Sequence, residues 1–597
     1  MSVVLAAMCE SGHLEGSRQA AQDILRRIGL RCDEFLSGPT RRRARVDRLA
    51  AGSPWNIICW DSPTLPVDEA TVNGFRVIST GHATASAALA GALRLHAGGL
   101  SVRSPAWGSY VTYVGRPHTD LLVSWATTPS PQSVHYATAG EWTFVSSSAI
   151  ACAIAAAVVE DRNISLSRAF LRDYIAFGFG IGDASPYDSV WNIGSSDALA
   201  VHRGRATIVP RPSPQVSLLD DEGDANAAGL RLAEAVDAAT RRGLSRSKSS
   251  VVARVSGGKD SRVILAALTN AGASVSCRVY GAEGDPDVTL ARRITALVGA
   301  PLDVATPPLA DPVGVRQSGL QVLRDAGGVP PSEAHLLPFG LSAGESADVA
   351  LTMGHWPLYK GGMAKKMKYG RGGVEAALYR NCSAYVSRDV RAASQYAIDS
   401  WAAKSLVGAD LELLYQWALD FRSGRYLASH HTHYSHATNL VYPLIDSEVA
   451  AVCNQMSMFS KVSELALFTA LSALNRDLAL VPLDRGEWRF ANNERYAHLV
   501  ASRPGASLAT IPVIPEWENI ASPRERQSHV LSEVARDLVA CSNWHEIEAL
   551  LSPEFSRSIL KFARQELDSG EPFRDRGAAK GLWRTYAASL WLSGDWL

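Results

Sequence analysis

The chain has 597 residues, 47% of them hydrophobic and 20% charged, which is enough for two or three domains with full cores. Its 59 basic and 59 acidic side chains cancel, so no bulk attraction to nucleic acid or to an anionic membrane is expected. Eight single cysteines without a C-x-x-C pair argue against zinc and iron–sulfur sites, and the sequence contains neither a long apolar span nor a basic signal region. We therefore expect a cytoplasmic globular protein.

Residues 1–212 are predicted to form an α+β domain. Short alternating runs between turn residues, among them GSYVTYVG, DLLVSWAT and WTFVSSS, are typical of antiparallel strands. SRQAAQDILRRIGL and SSSAIACAIAAAVV have the apolar spacing of helices. The Pro- and Ser-rich stretch VPRPSPQVSLLDDEGD, at 209–224, predicts a boundary near residue 212.

Residues 213–597 are predicted to form an α/β domain with a helical C-terminal part. SVVARVSGG and SVSCRVYG are typical strands, and each precedes a helical pattern, DSRVILAALTNAG and PDVTLARRITALVGA. Strand and helix alternating at this spacing predict a parallel, doubly wound sheet. From about residue 370 onward, helical patterns dominate.

The turn SGGKDS, between a predicted strand and a predicted helix, has the composition of a phosphate-binding loop. Glycines let backbone N–H groups turn toward an anion, and the helix start adds further unpaired N–H groups. An acid would repel a bare phosphate, so Asp260 is expected to hold Mg²⁺ between carboxylate and phosphates. The loop is neither a Walker A motif nor a G-x-G-x-x-G fingerprint. The residues expected to bind the nucleotide are Ser256, Gly257, Gly258, Lys259, Asp260 and Ser261.

The pattern S-G-G-x-D-S resembles the pyrophosphate loop of the ATP pyrophosphatases, and the rest of the chain resembles asparagine synthetase and its relatives. The segments that carry the second resemblance are SVHYATAGEWTFVSSSAIA (133–151), SPYDSVWNIGSSDALAV (185–201), PDVTLARRITALVGA (286–300) and LVYPLIDSEVAAV (440–452). The resemblance implies a degenerate glutaminase-like sandwich of the N-terminal-nucleophile type over 1–212 and an ATP-pyrophosphatase domain over 213–597. It also implies ATP and Mg²⁺ as cofactors, and a place for Asp287 near the adenylate.

The chain departs from this family at its start, where glutamine-using members carry a cysteine after the initiator methionine. Ser2 stands in that place, and a hydroxyl is a much poorer nucleophile than a thiol near neutral pH. We therefore expect no glutaminase activity and no ammonia supply. The amine would already be present on the substrate.

A second departure is ALTMGHWPLYKGG, at 350–362, which resembles the second phosphate loop of the family but lacks its acids. Gly354 is expected to lie against the nucleotide, and Lys360 would contact phosphate directly. His355 occupies the place of residues that handle the amine in the relatives and would accept its proton, unless it only packs beside Trp356. Arg485 is the candidate for the lysine that stabilises the cyclising transition state in β-lactam synthetase.

Relatives without the N-terminal cysteine include the lasso peptide cyclases (macrolactam synthetases) and the β-lactam synthetases. The resemblance to them implies an ATP-dependent carbon–nitrogen ligase that forms AMP and pyrophosphate, acting on the core of a leader-cleaved precursor peptide. Its expected partners are that peptide, a leader-peptide-binding protein and a protease, without nucleic acid or membrane. A small-molecule amide or β-lactam synthetase and a non-catalytic scaffold stay open, whereas neutral charge disfavours a tRNA-modifying pyrophosphatase.

Several polar and aromatic residues also have ordinary structural explanations. The aromatics of the C-terminal half would suit a peptide cavity, but composition favours the core; they are Trp356, Tyr359, Trp401, Tyr415, Trp417 and Tyr434. Asp446 is expected to cap a helix. The basic stretch 365–371 is expected to be a solvated loop, and the histidines of 430–436 do not share one helical face, which favours a polar cleft wall over a metal site.

Overall fold

The computed structural model describes most of the chain, with gaps at several loops. The described residues are 3–9, 15–37, 42–48, 54–61, 67–72, 75–83, 93–96, 99–102, 107–116, 118–195, 197–211, 225–245, 250–281, 283–305, 312–330, 349–352, 360–361, 378, 384–404, 410–428, 431–432, 439–483, 487–492, 494, 528–564 and 576–597.

The first part of the chain is built mainly of antiparallel strands. The strands are β1 (Val3–Cys9), β2 (Arg42–Arg48), β3 (Asn56–Asp61), β4 (Asp68–Val72), β5 (Phe75–Ala83), β6 (Leu93–His96), β7 (Gly99–Val102), β8 (Gly108–Gly115), β9 (Leu122–Ala126), β10 (His135–Ala139), β11 (Trp142–Ser146), β12 (Val190–Asn192), β13 (Asp197–His202) and β14 (Arg205–Pro210). The helices are α1 (Glu15–Leu36), α2 (Ala149–Glu160) and α3 (Arg168–Phe177).

These strands form two six-stranded sheets, ordered β12-β10-β11-β1-β3-β2 and β14-β13-β9-β8-β5-β4, with β6 and β7 as a separate pair. Side chains alternate across each strand, so β1 buries Val4 and Ala6 between the two sheets while Leu5 and Ala7 face the helices. The predicted antiparallel α+β arrangement is confirmed.

The second part contains a five-stranded sheet and many helices. Its strands are β15 (Ser250–Arg254), β16 (Val275–Tyr280), β17 (Leu302–Ala305), β18 (Val349–Thr352) and β19 (Asn439–Val441). Its helices are α4 (Ala225–Ser245), α5 (Lys259–Asn270), α6 (Pro286–Val298), α7 (Pro312–Asp325), α8 (Arg388–Lys404), α9 (Asp410–Trp417), a π-helix (Ala418–Leu427), a 3-10 turn (Pro443–Ile445), α10 (Ser447–Gln455), α11 (Met458–Val462), α12 (Leu465–Leu474), α13 (Arg476–Leu480), a 3-10 turn (Arg489–Asn492), α14 (Ser528–Ala540), α15 (Trp544–Glu548), α16 (Pro553–Ala563) and α17 (Arg576–Ser593).

The strands of this sheet pair in parallel, in the order β17-β16-β15-β18-β19. The chain runs outward from β15 to β17 on one side and then returns to place β18 on the other side. The order therefore reverses between β15 and β18, and open parallel sheets bind ligands beyond the carboxyl ends of the strands at such a point. Parallel pairing is as predicted, while the domain boundary near residue 212 stays a prediction.

The C-terminal helices pack onto the helix-bearing face of the first sheet, where one apolar core joins both parts of the chain. Tyr415 and Trp417 are 2% and 1% exposed, so they belong to the core and do not line a substrate cavity. Trp401 packs against Trp417 with ring centroids 5.3 Å apart. Among the described helices, none combines the length and the apolar character needed to cross a membrane.

Candidate functional site

The SGGKDS loop follows β15 and begins α5, at the position where the strand order reverses. Gly258 is the N-cap of α5 and supplies no side-chain cap. The first turn of a helix has N–H groups without intrahelical acceptors, and its dipole favours an anion there. The predicted phosphate loop therefore lies at a helix N-terminus beyond the carboxyl end of a parallel strand, a position that favours anions.

Hydrogen bonds within the loop fix its shape. The Gly257 N–H donates to Asp287 Oδ1 at 2.7 Å, and the Gly258 N–H donates to Ser256 Oγ at 3.2 Å. The Ser256 N–H donates to Ser261 Oγ at 3.3 Å, and that hydroxyl donates to the Gly258 carbonyl at 3.0 Å. Because these N–H groups already have internal acceptors, an anion would be met by the first turn of α5. Asp287, expected near the adenylate, holds the loop backbone.

Arg262 anchors the loop from beneath and was missed by the sequence analysis. Its side chain is fully buried and donates to the Gly257 carbonyl at 2.9 Å. It also donates to the carbonyls of Leu478 at 3.4 Å, Val481 and Pro482. A planar guanidinium is suited to several fixed acceptors at once, so Arg262 ties the loop to the end of α13.

A buried carboxylate, Glu464, holds two cations beside the loop. Lys259 Nζ contacts Glu464 Oε2, and the guanidinium of Arg489 lies 3.6 Å from Glu464 Oε1. The Glu464 side chain is 2% exposed, and Lys259 Nζ also lies 4.8 Å from the ring centroid of Trp488. Burial lowers the pKa of Lys259 from its ordinary value, although the contact with Glu464 acts in the opposite direction.

The second loop reaches the first through Lys360, whose Nζ lies 2.6 Å from Asp260 Oδ1. This ion pair joins the residue expected to hold Mg²⁺ to the residue expected to contact phosphate. Mg²⁺ is typically bound by one or two carboxylates together with substrate phosphates, and the carboxylate of Asp260 suits that role. Within the described ranges, no group of three or more His, Cys, Asp or Glu side chains could hold a metal by itself.

Lys461, on α11, is a further buried cation near the second loop. Its side chain is fully buried, and its Nζ lies 4.2 Å from the ring centroid of Tyr415. Gly361 has φ +68°, and a Cβ placed on it would stand 3.7 Å from Lys461 Cβ. Burial lowers the pKa of Lys461 to about 8. One lysine inside the apolar run SMFSKVSELALF was the sequence signal that could have identified it.

Several predicted residues lie outside the described part of the chain. These are Ser2, Gly354, His355, Arg485, the stretch 365–371, the aromatics Trp356, Tyr359 and Tyr434, and the histidines His430, His433 and His436. Asp446 is described and is the N-cap of α10, accepting from the Glu448 N–H at 2.9 Å. It also pairs with Arg242 at 2.9 Å, so the predicted capping role is confirmed.

Comparisons with known proteins identify no family. No family profile and no curated protein sequence matches the chain. Among solved structures, the chain is similar to the allosteric regulatory enzyme of purine biosynthesis at 10% identity and TM-score 0.22, over 52% of this chain and 82% of that one. It is also similar to glutamine phosphoribosylpyrophosphate amidotransferase from B. subtilis, complexed with ADP and GMP, at 11% identity and TM-score 0.22, over 52% and 83%. Scores this low establish neither a family nor a shared fold.

Proposed function

We propose that this chain is an ATP-dependent amide synthetase that adenylates a substrate carboxylate and then joins it to an amine. The observation that carries the proposal is the SGGKDS loop at the strand-order reversal, facing Lys360 from the second loop at the same sheet edge. A strand–loop–helix anion site bordered by cations suits a polyphosphate. By its resemblance to the lasso peptide cyclases, the proposed reaction closes a macrolactam on a leader-cleaved peptide.

The proposed reaction has two steps. A carboxylate oxygen attacks the α-phosphorus of ATP, the bond to the bridging oxygen breaks, and pyrophosphate leaves the acyl-adenylate. The amine then attacks the acyl carbon, its proton goes to a base, and AMP leaves. His355 is the proposed base, because a neutral imidazole accepts a proton near pH 7.

The chain contributes charge and position to these steps. Lys360 and the first turn of α5 would hold the departing pyrophosphate, and Glu464 would keep Lys259 in place beside them. Asp260 would hold Mg²⁺, which when bound supplies further neutralisation of phosphate charge. In this proposal the amine is already part of the substrate.

Pyrophosphate release with a linear peptide that has a free N-terminal amine and an internal Asp or Glu tests the proposal. We expect release together with a product lighter by one water. Asp260→Ala should abolish release while the circular dichroism spectrum stays unchanged. The matched control is Asp237→Ala, at a similarly half-buried carboxylate that pairs with Arg241 on α4. If the chain neither binds ATP nor releases pyrophosphate with peptides or small amino acids, the catalytic proposal is rejected and the non-catalytic scaffold remains.

His355→Ala separates the two steps. We expect the variant to retain adenylation, measured as hydroxylamine-trapped acyl groups, but to form the amide slowly. An equal loss of both steps would reject the assignment of His355 as the base.

A further inference from the structure

A cavity of about 70 Å³ lies between the first sheet and the C-terminal helical part, away from the SGGKDS loop. Strands β10 and β12 form its floor, and residues 424–428, 431–432 and 325–330 lie across it. Apolar walls come from Phe35, Phe170 and Phe179. Segments from distant parts of the chain therefore enclose one small space.

Three polar residues line this space, and each has one buried side-chain atom without a hydrogen-bond partner among the described residues. His135, Asn192 and Arg425 are 8%, 7% and 9% exposed. Among the described residues, no partner is found for His135 Nδ1, Asn192 Oδ1 or Arg425 Nε. Buried polar atoms are almost always hydrogen-bonded, and each one left without a partner costs free energy. Three such residues around one cavity make it a candidate binding site for a polar ligand.

The positions of these side chains are fixed by the fold. His135 and Asn192 are opposite residues of the antiparallel ladder between β10 and β12, so their side chains stand on the same face of the sheet. Arg425 donates through its Nη atoms to Ser133 Oγ at 3.3 Å and to the carbonyls of Gly182 at 3.1 Å and Ile193 at 3.3 Å. A ligand would enter a preformed site.

The charges around the cavity favour a neutral ligand. Burial, and then the charge of Arg425, lowers the pKa of His135 to about 3, so the imidazole is neutral at physiological pH. Burial also lowers the pKa of Arg425 to about 10, although the carboxylates of Asp420, Asp183 and Asp197 act in the opposite direction. Because those carboxylates already offset the guanidinium charge, an added anion would gain little.

We propose that this cavity binds a small neutral molecule that carries a primary carboxamide. Its carbonyl oxygen would accept from Arg425 Nε–H, and its two N–H groups would donate to Asn192 Oδ1 and to His135 Nδ1 in the tautomer protonated at Nε2. A carboxylate has no N–H group for the two acceptors, and an ammonium ion has no acceptor for Arg425. A primary amide would satisfy all three atoms. Binding at this cavity does not depend on the proposed ligase reaction.

Binding of acetamide, acetate and ammonium chloride to the full chain, measured by saturation-transfer NMR titration, tests this site. We expect acetamide to bind at least tenfold more tightly than either ion, without a change between pH 5 and pH 8. Asn192→Leu and His135→Phe should each weaken acetamide binding at least tenfold. Asn163→Leu, at an exposed position before α3, should leave it unchanged.

Three results would overturn the proposal. The first is the absence of saturation transfer to acetamide, which would mean that the cavity holds only water. The second is acetate or ammonium binding as tightly as acetamide. The third is unchanged acetamide binding to a folded Asn192→Leu variant. If circular dichroism shows that a variant is unfolded, the relative affinities of the three probes for the unaltered protein decide whether the proposal stands. None of these measurements needs ATP or pyrophosphate release, so the outcome is separate from that of the ligase proposal.

Discussion

Several buried titratable groups of the antiparallel sandwich are held neutral, whereas the buried groups nearest the SGGKDS loop of the parallel-sheet region are charged. In the sandwich, burial raises the pKa of Tyr113 and Cys152 and lowers that of His135, so each is held in its neutral form. Around the SGGKDS loop, by contrast, Arg262 and Glu464 are buried with partners that suit their charged forms. Charge is retained where distant segments converge at the strand-order reversal, which is where a polyanion would bind.

Removing Arg262, the buried cation beneath the loop, should have the largest effect on stability. Arg262→Met leaves the carbonyls of Gly257, Val481 and Pro482 without their donor. We expect the free energy of unfolding to fall by about 3–5 kcal/mol, the range for breaking a buried charged network. Urea denaturation measures this. Arg241→Met, which removes an exposed pair with Asp237, is the control and should cause no measurable change.

The sandwich should instead be sensitive to acid through His135. Its folded pKa of about 3 lies below the ordinary value of 6.5, so between these values the unfolded state binds more protons and stability falls as pH is lowered. From pH 6.5 to about pH 4.5 this group should cost about 2–3 kcal/mol. His135→Gln should remove that part of the pH dependence in urea melts. An identical slope in the variant would contradict the neutral histidine.

The local elements of both regions could be predicted from the sequence, because alternation and helical spacing are local patterns. GSYVTYVG forms β8, and PDVTLARRITALVGA begins α6. The loop composition and the capping role of Asp446 could also be predicted. The pairing of Lys259 with Glu464, 205 residues apart, could not, since no local pattern determines which distant segments meet. His135 and Arg425 were missed for the same reason: only the fold places the sheet against the π-helix.

Glu464 provides a third test, on activity. Glu464→Gln removes the carboxylate that holds Lys259 and Arg489, so both cations lose their fixed positions. If the loop binds pyrophosphate, we expect release to slow by about 10–100-fold, equivalent to about 1.4–2.7 kcal/mol. Glu448→Gln, which alters a more exposed pair with Arg242 that contains no residue of the loop, is the control. Equal rates in both variants would show that Glu464 is only structural.

Lys461 is a buried cation of the parallel-sheet region whose removal should have the smallest effect on stability, and a stabilising one. Its folded pKa of about 8 lies below the ordinary 10.5, so between these values the unfolded state binds more protons and stability rises with pH. Below pH 8 the protein bears the full cost of burying this charge. The contact of its Nζ with the Tyr415 ring offsets only part of that cost.

Lys461→Met keeps the length of the side chain and removes its charge. We expect this variant to be more stable than the unaltered protein at pH 7 by about 1–2 kcal/mol, with the difference shrinking as the pH rises from about 8 to 10.5. Urea melts at both pH values measure it, and a less stable variant at pH 7 would contradict the argument. A stabilised variant with slower pyrophosphate release would mean that Lys461 is kept at a cost in stability because it serves the loop that Gly361 brings against it.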